Sequence, residues 1–411
     1  MTLQYATFQN NRIKHATMNL SFTLFVTATA FTSFAASADT IENPTEPPPT
    51  IRENFELPRF YQQWIDVDGF PVVASEKVNP HAMREAAWLI QQVIGHRPDI
   101  LQALAENNVR FSVMAYDEMT TQIPEHSDLK PDFYWDRRAR GLGATSARPS
   151  VSCGEENLLN YPGDPYGTEN ILIHEFAHAI HQMGLSTVDP DFDKRLKQLY
   201  EAAMEKGLWK GTYASTNKEE YWAEGTQSWF NTNRENDAQH NHVSKRGILK
   251  EYDPDLAELL TEIYGDEDWR YTNAITRTHL PHLDRFNPDE SPKFEWPAKL
   301  AACYEQLFDP NCDDGDKWVN LKRHKPSQLS TLKSNDGEHT AVLFVNKTET
   351  DITYYWIDAD GNESYRGRAA ADAFSIQHTH AGHIWLVKDP DGQDLVVFQA
   401  EEMTGRAFIG K

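Results

Sequence analysis

Two histidines with three residues between them, the first followed directly by a glutamate, stand at His174-Glu175-Phe176-Ala177-His178. On a helix, residues four apart share a face, so both imidazoles reach one Zn²⁺ while Glu175 sits beside it to take a proton from the bound water. Zinc brings that water's pKa to about 7, and the carboxylate completes its activation. The surrounding run Ile171 to Ile180 is apolar, as a helix packed into a core requires. Two histidines at this spacing also occur on helices that hold no metal, so the chemistry turns on what accompanies them.

A second cluster follows in Tyr213-Ala214-Ser215-Thr216-Asn217-Lys218-Glu219-Glu220-Tyr221-Trp222-Ala223-Glu224. Thr216 or Asn217 can cap a helix here, with Glu219 or Glu220 three residues on to complete a capping box. Glu220 and Glu224 then lie one turn apart on one face. That supplies one carboxylate for the metal and one to hold a ligating histidine through its second ring nitrogen. Two histidines and a glutamate with an open fourth position form the ligand set of a hydrolytic zinc site. An acidic helix face facing only water is the alternative, and Trp222, Trp229 and Phe230 argue for burial of one side instead.

The two clusters together, covering residues 171 to 230, resemble the catalytic domain of anthrax lethal factor and the secreted Pro-Pro endopeptidases, within the thermolysin-like gluzincins. The resemblance implies that His174, His178 and Glu220 bind Zn²⁺ and that Glu175 is the general base. It further implies that Tyr213, seven residues before Glu220, stabilises the oxyanion, with Glu224 supporting the ligands. His181 falls on the same helical face as His174 and His178. A third histidine ligand would be the metzincin arrangement, which breaks its helix at a glycine before that ligand. Gly184 comes after His181, so His181 is expected in the core or behind the ligands.

The length of 411 residues is more than one core usually serves, so two folded units are expected. Residues 1–38 read as a signal peptide: Arg12 and Lys14, an apolar stretch from Leu20 to Phe34, and a small-x-small site at Ala36-Ser37-Ala38. That stretch is shorter than the roughly 20 residues of a membrane span. A Pro-rich leader, 39–50, is expected to stay extended. Residues 51–321 carry helical periodicity over His81–Ile94 and Phe192–Lys206, a start signal at Pro98-Asp99, a strand over Val109–Ala115 and a further helix over Asp253–Tyr264. Arg137 to Pro149, rich in Gly, Ala and Arg, reads as a loop near the histidine helix. The pattern is that of an α+β domain, and the resemblance makes it a thermolysin-like zinc metallopeptidase domain. The polar, basic segment 322–335 reads as a linker. Over 336–404 the period changes to 2, with short strands at Ala341–Val345, Thr353–Ile357, Ser375–Gln377, Ile384–Val387 and Leu395–Gln399, which predicts a small all-β sandwich.

Within that last region, Leu343-Phe344-Val345-Asn346-Lys347, Tyr355-Trp356-Ile357-Asp358-Ala359-Asp360-Gly361 and His378-Thr379-His380-Ala381-Gly382-His383-Ile384-Trp385-Leu386 are similar to the β domain of the von Hippel–Lindau tumour suppressor. The resemblance implies a hydroxyproline pocket formed by Trp356, Tyr365, Thr379, His383 and Trp385. Two departures from the family are visible: the turn before Tyr365 is one residue shorter, and Thr379 replaces a serine. Indole and phenol faces suit a pyrrolidine ring, and Thr379 with His383 offers partners for its hydroxyl. Ordinary core aromatics of a sandwich are the alternative for Trp356 and Trp385. His378 and His380, two apart on one strand face, form a weaker candidate metal pair.

A net charge of −23, from 39 basic and 62 acidic residues, excludes an extended nucleic-acid interface, which needs a basic patch. Cys303 and Cys312 flank a short turn and are spaced for a local disulfide in an oxidising compartment, leaving Cys153 odd; three free thiols is the other reading. The expectation is therefore a secreted or periplasmic zinc endopeptidase, without a stable membrane anchor, acting on protein or peptide substrates that are Pro- or hydroxyproline-rich. Two alternatives are an extracellular binding protein whose zinc domain is structural or inactive, and a zinc hydrolase of non-peptide amide bonds.

Overall fold

The structure, a computed structural model, describes residues 41–306 and 318–410. The expected signal peptide and Cys312 lie outside the described residues, so neither the signal reading nor the Cys303–Cys312 pairing is addressed by the fold. Cys153 is buried in a strand as a free thiol. No helix among the described residues is long and apolar enough to cross a membrane.

The fold mixes helices and strands and ends in an all-β part. The first sheet has five strands, β1 (Gln63–Val67), β2 (Phe70–Ala74), β3 (Arg110–Met114), β4 (Gly141–Leu142) and β5 (Ser150–Gly154), in the order β1-β2-β3-β5-β4. Strands β2, β3 and β5 run parallel, and every residue in them is buried. Full burial follows from helices on the faces of the sheet, as parallel strands demand. The helix Pro80–Ile94 starts where expected, with the Asn79 side chain accepting from the His81 amide and Pro80 in the first turn. Its Met83, Ala86, Ala87, Ile90, Val93 and Ile94 enter the same core as Val72, Phe111 and Val151.

Two expectations about this part are corrected. The leader does not stay extended to its end: Thr45 exchanges two backbone hydrogen bonds with Trp64 of β1, of 3.0 and 2.8 Å, but Pro49 already opens a helix to Asn54. Proline at the first helical position loses no hydrogen bond there, which is how a helix starts inside a Pro-rich run. Arg137–Pro149 is not all loop either. Residues Asp132–Arg138 are helical, and Gly141–Leu142 forms the antiparallel edge strand β4 beside β5. Two residues with one glycine are too few for a period to show.

The remaining strands are β6 (Trp318–Asn320), β7 (His339–Asn346), β8 (Ile352–Ile357), β9 (Glu363–Ala369), β10 (Phe374–His380), β11 (Ile384–Lys388), β12 (Asp394–Gln399) and β13 (Thr404–Ile409). They form two four-stranded sheets, β10-β7-β13-β6 and β12-β11-β8-β9, the latter entirely antiparallel. Val342, Phe344, Ala407 and Ile409 of one sheet pack on Tyr354, Trp385, Val387 and Phe398 of the other. The all-β part thus extends past the expected limits at both ends. Strand β13 runs to Ile409, and β6, ahead of the expected linker, pairs with it.

The segment expected as a linker is laid along the second sheet. The backbone of His324 bridges Val397, and Leu329 and Leu332 pack beside Ile357, Ile384, Leu386 and Val397. Those two leucines, inside an otherwise polar run, hold it down. Alternation along β7 does a further job: Leu343 and Val345, pointing away from the sandwich core, join Trp318, Phe133 and Tyr134 in one cluster. The β part is thereby packed against the helix Asp132–Arg138.

Candidate metal centre and a second pocket

The histidine helix, Ile171–Ala179, begins at Asn170, whose side chain accepts from the Ile173 amide at 3.0 Å. The glutamate helix, Lys218–Trp229, begins at Asn217, whose side chain accepts from the Glu220 amide at 2.8 Å. Of the two capping candidates it is therefore Asn217 that caps, and this sets Glu220 in the first turn facing the histidines. The helices are fixed to each other by the buried Trp222, whose indole N–H donates to the Ala177 carbonyl at 3.0 Å.

These supports bring His174, His178 and Glu220 together. Their ligand atoms all lie within 4.8 Å of one another, and among the described residues no other group of three or more His, Cys, Asp or Glu does so. Glu220 Oε2 is 3.2 Å from His174 Nε2 and 3.4 Å from His178 Nε2, and the two nitrogens are 3.3 Å apart. With neutral imidazoles, this buried oxygen has no donor. Three acceptors facing one point fit a cation, since burying them unpaired is costly. Without a metal, a proton takes that place: burial opposes charge on both partners, yet the contacts with Glu220 hold the His174 imidazolium well above the usual histidine range, while those with His174 and His178 hold Glu220 well below the usual carboxylate range.

The second nitrogen of His174 is held differently from the expectation. Gln227 Oε1 accepts from Nδ1 at 2.9 Å, while Glu224 Oε1 is 3.7 Å away. The Gln227 amide in turn donates to Glu169 at 3.1 Å. Glu224 instead accepts from Asn233 at 3.0 Å and faces His240 Nε2 at 3.4 Å. Gln227 was readable: 220, 224 and 227 follow the four-then-three spacing of one helix face. His240, from a loop after the helix, carries no such signal.

Glu175 and Tyr213 line one cleft of about 350 Å³ with His174, Gly141, Tyr166, Arg138 and Arg140. The Tyr213 hydroxyl is 3.2 Å from Glu220 Oε1, and burial, then the Glu220 charge, pushes its pKa up, so it stays a donor at neutral pH. One wall is β4 with the residue after it, which lie close to the histidine helix because of Gly141 and Gly143. A Cβ on Gly141 would meet Ile171 and would stand 2.7 Å from the Ser152 carbonyl, and one on Gly143 would stand 2.9 Å from His178 Cβ. His181 is turned elsewhere, with Nε2 3.0 Å from Asp193, in a π-helical turn that follows the histidine helix.

In the β part, a smaller cleft of about 240 Å³ is lined by Trp356, Thr379, His383 and Trp385, together with His378 and Arg366. Thr379 Oγ1 lies 2.9 Å from His383 Nδ1, and His383 Nε2 lies 2.6 Å from Asp336. The buried indole nitrogens of Trp356 and Trp385 have no acceptor. Tyr365, expected with this set, is elsewhere: it sits opposite Tyr355 on the other face of the sheet and is 58% exposed, while Arg366 lies over the Trp356 ring at 5.1 Å. Side chains alternate along a strand, and a bulge between Tyr354 and Tyr355 shifts the register, so a one-residue difference in the preceding turn changes which side chain faces the cleft. His378 and His380 belong to no group of three or more His, Cys, Asp or Glu among the described residues; His378 stacks on Trp135 of the helix Asp132–Arg138, at 5.8 Å.

No model of a known protein family matches the chain, and no curated protein matches it.

Proposed function

We propose that the chain is an exported zinc-dependent endopeptidase of the thermolysin-like gluzincin kind, similar to the lethal factor and Pro-Pro endopeptidase catalytic domains. The observation that carries the reading is the convergence of His174, His178 and Glu220 on one point, beside a cleft that His174, Glu175 and Tyr213 line. Zinc held there would supply Lewis acidity to water and to a peptide carbonyl.

The protein's own residues divide the remaining work. Glu175 takes a proton from the attacking water and returns it to the leaving amine. Tyr213, protonated at neutral pH, donates to the oxygen on which negative charge develops. Gln227 fixes the His174 ring by accepting from Nδ1, which leaves Nε2 free as the ligand atom. The edge strand β4 offers backbone groups along the cleft wall to an extended chain.

The smaller cleft supports a reader for hydroxyproline-containing chains. Two unpartnered indole N–H groups and the Thr379–His383–Asp336 chain give apolar walls with polar ends, which suit a hydroxylated pyrrolidine. The substrates would then be Pro- or hydroxyproline-rich extracellular proteins. A library of Pro-rich peptides, hydroxylated and not, incubated with the metal-loaded chain tests this. Cleavage that stops on chelation, returns with zinc and favours hydroxylated members is expected; equal cutting of both sets would remove the reader from the account, and no cutting would remove the peptidase.

A further inference from the structure

We propose that Arg138 is a specificity residue that takes a carboxylate of the bound chain beside the scissile bond; this rests on the peptidase reading above. Arg138 closes the helix Asp132–Arg138, just before β4, and its side chain is exposed to solvent where it lines the main cleft. Its backbone is fixed, because the Tyr166 hydroxyl donates to the Arg138 carbonyl at 2.7 Å.

The other arginines of this cleft are already neutralised. Arg140 is buried against Glu156, with N–O distances of 2.6 and 3.0 Å. Arg234 pairs with Asp237 at 2.7 Å and with Glu169 at 3.6 Å. Arg138 makes no ion pair among the described residues. What surrounds its guanidinium is a set of phenols, Tyr134, Tyr166 and Tyr213, and the face of Trp135 at 6.0 Å.

Arg138 is thus the one arginine of this cleft without a carboxylate partner among the described residues. The chain carries 62 acidic against 39 basic residues, and this cleft itself holds Glu169, Glu175 and Glu224. A carboxylate is therefore better placed at Arg138 than beside these glutamates. Arg138 also lies beside Tyr213 in this cleft, and the Tyr213 hydroxyl reaches Glu220. A carboxylate docked on Arg138 thus lies next to the reacting carbonyl, within reach of a planar fork that recognises carboxylates in two-pronged fashion. The source is an Asp or Glu side chain of the substrate or its C-terminal carboxylate.

The test uses peptides matched in all but one group: Asp against Asn next to the cut, and free C-terminal acid against amide. The full chain, Arg138→Gln and Arg138→Lys are compared on each pair, and binding of the same pairs to Glu175→Gln is measured in parallel. The acid is expected to exceed its amide partner by roughly 10- to 100-fold in kcat/KM, carried by KM, as a charge-assisted contact provides. Arg138→Gln should bring that ratio to about one and Arg138→Lys should keep part of it; whichever pair shows the effect identifies the source. A ratio that is unchanged in Arg138→Gln, or a kcat loss equal on acids and amides, would overturn the proposal and leave Arg138 as a support for Tyr213. If nothing is cut, the peptidase reading falls, and the binding ratio on Glu175→Gln still decides the carboxylate site.

Discussion

The candidate metal centre takes its histidines and glutamate from two helices tied by one indole, whereas the smaller cleft takes its walls from strands of two sheets and a turn. In the first, spacing of three and four residues along one helix places side chains on a common face, and an error of one residue moves a group by about a third of a turn. In the second, an error of one residue sends a side chain to the opposite face of the sheet. Tyr365 illustrates the second case, and Glu220 with Gln227 the first.

The largest effect is expected at Glu175. Glu175→Gln is expected to lower hydrolysis roughly 10³-fold with the metal retained, because the carboxylate moves the proton and is not a ligand. Retention would be read by metal analysis of the purified variant. Tyr213→Phe is expected to cost about 10²-fold in kcat with little change in metal content, since one oxyanion donor is lost.

Next in size, Gln227→Ala should weaken zinc binding by about 10- to 100-fold in a competition titration, whereas Glu224→Gln should weaken it less. Equal effects would show that the ring of His174 is held through both groups.

Acid separates the two regions further. The histidines must be neutral to bind a metal, and the carboxylates around metal-free His174 favour its proton, so zinc affinity should fall with falling pH from above the ordinary histidine range. His378 behaves oppositely: burial, then its neighbours His339 and Arg148, depress its pKa to about 4. A lowered folded-state value means its contribution is present above about 6.5 and is lost as pH falls through about 4. Zinc should therefore leave while the contacts of the β part with Trp135 persist, as zinc release and tryptophan fluorescence followed along one acid titration would reveal. The smallest effect is expected at the sheet: Tyr365→Ala should change the affinity for a hydroxyproline peptide by less than about 0.5 kcal/mol, against 1 kcal/mol or more for Trp356→Ala.

The parts of the molecule that sequence made legible share this local character. The capped helices, the alternating strands β7, β8 and β11, the histidine face of 174 and 178 and the acidic face of 220 and 224 were each visible within a dozen residues. What was hidden depended on distant partners. Strand β9, rich in Arg, Gly and Ser, and the three-residue β6 have too little apolar pattern to announce themselves, and exist because a neighbour supplies the ladder. Arg138 and His240 reach the cleft from outside both helices, so no spacing connects them to the histidines. The attachment of the segment 322–335 is hidden for a related reason: two residues, Leu329 and Leu332, fasten it to a sheet whose strands come later in the chain.

The central claim is that two helices build a hydrolytic zinc site, and zinc content measured on the same preparation as peptide hydrolysis tests it most directly, for the chain and for Glu220→Ala. One zinc per chain with hydrolysis, both lost in Glu220→Ala, is the predicted result. Zinc that stays in Glu220→Ala, or a chain that binds zinc and cuts nothing, would contradict it.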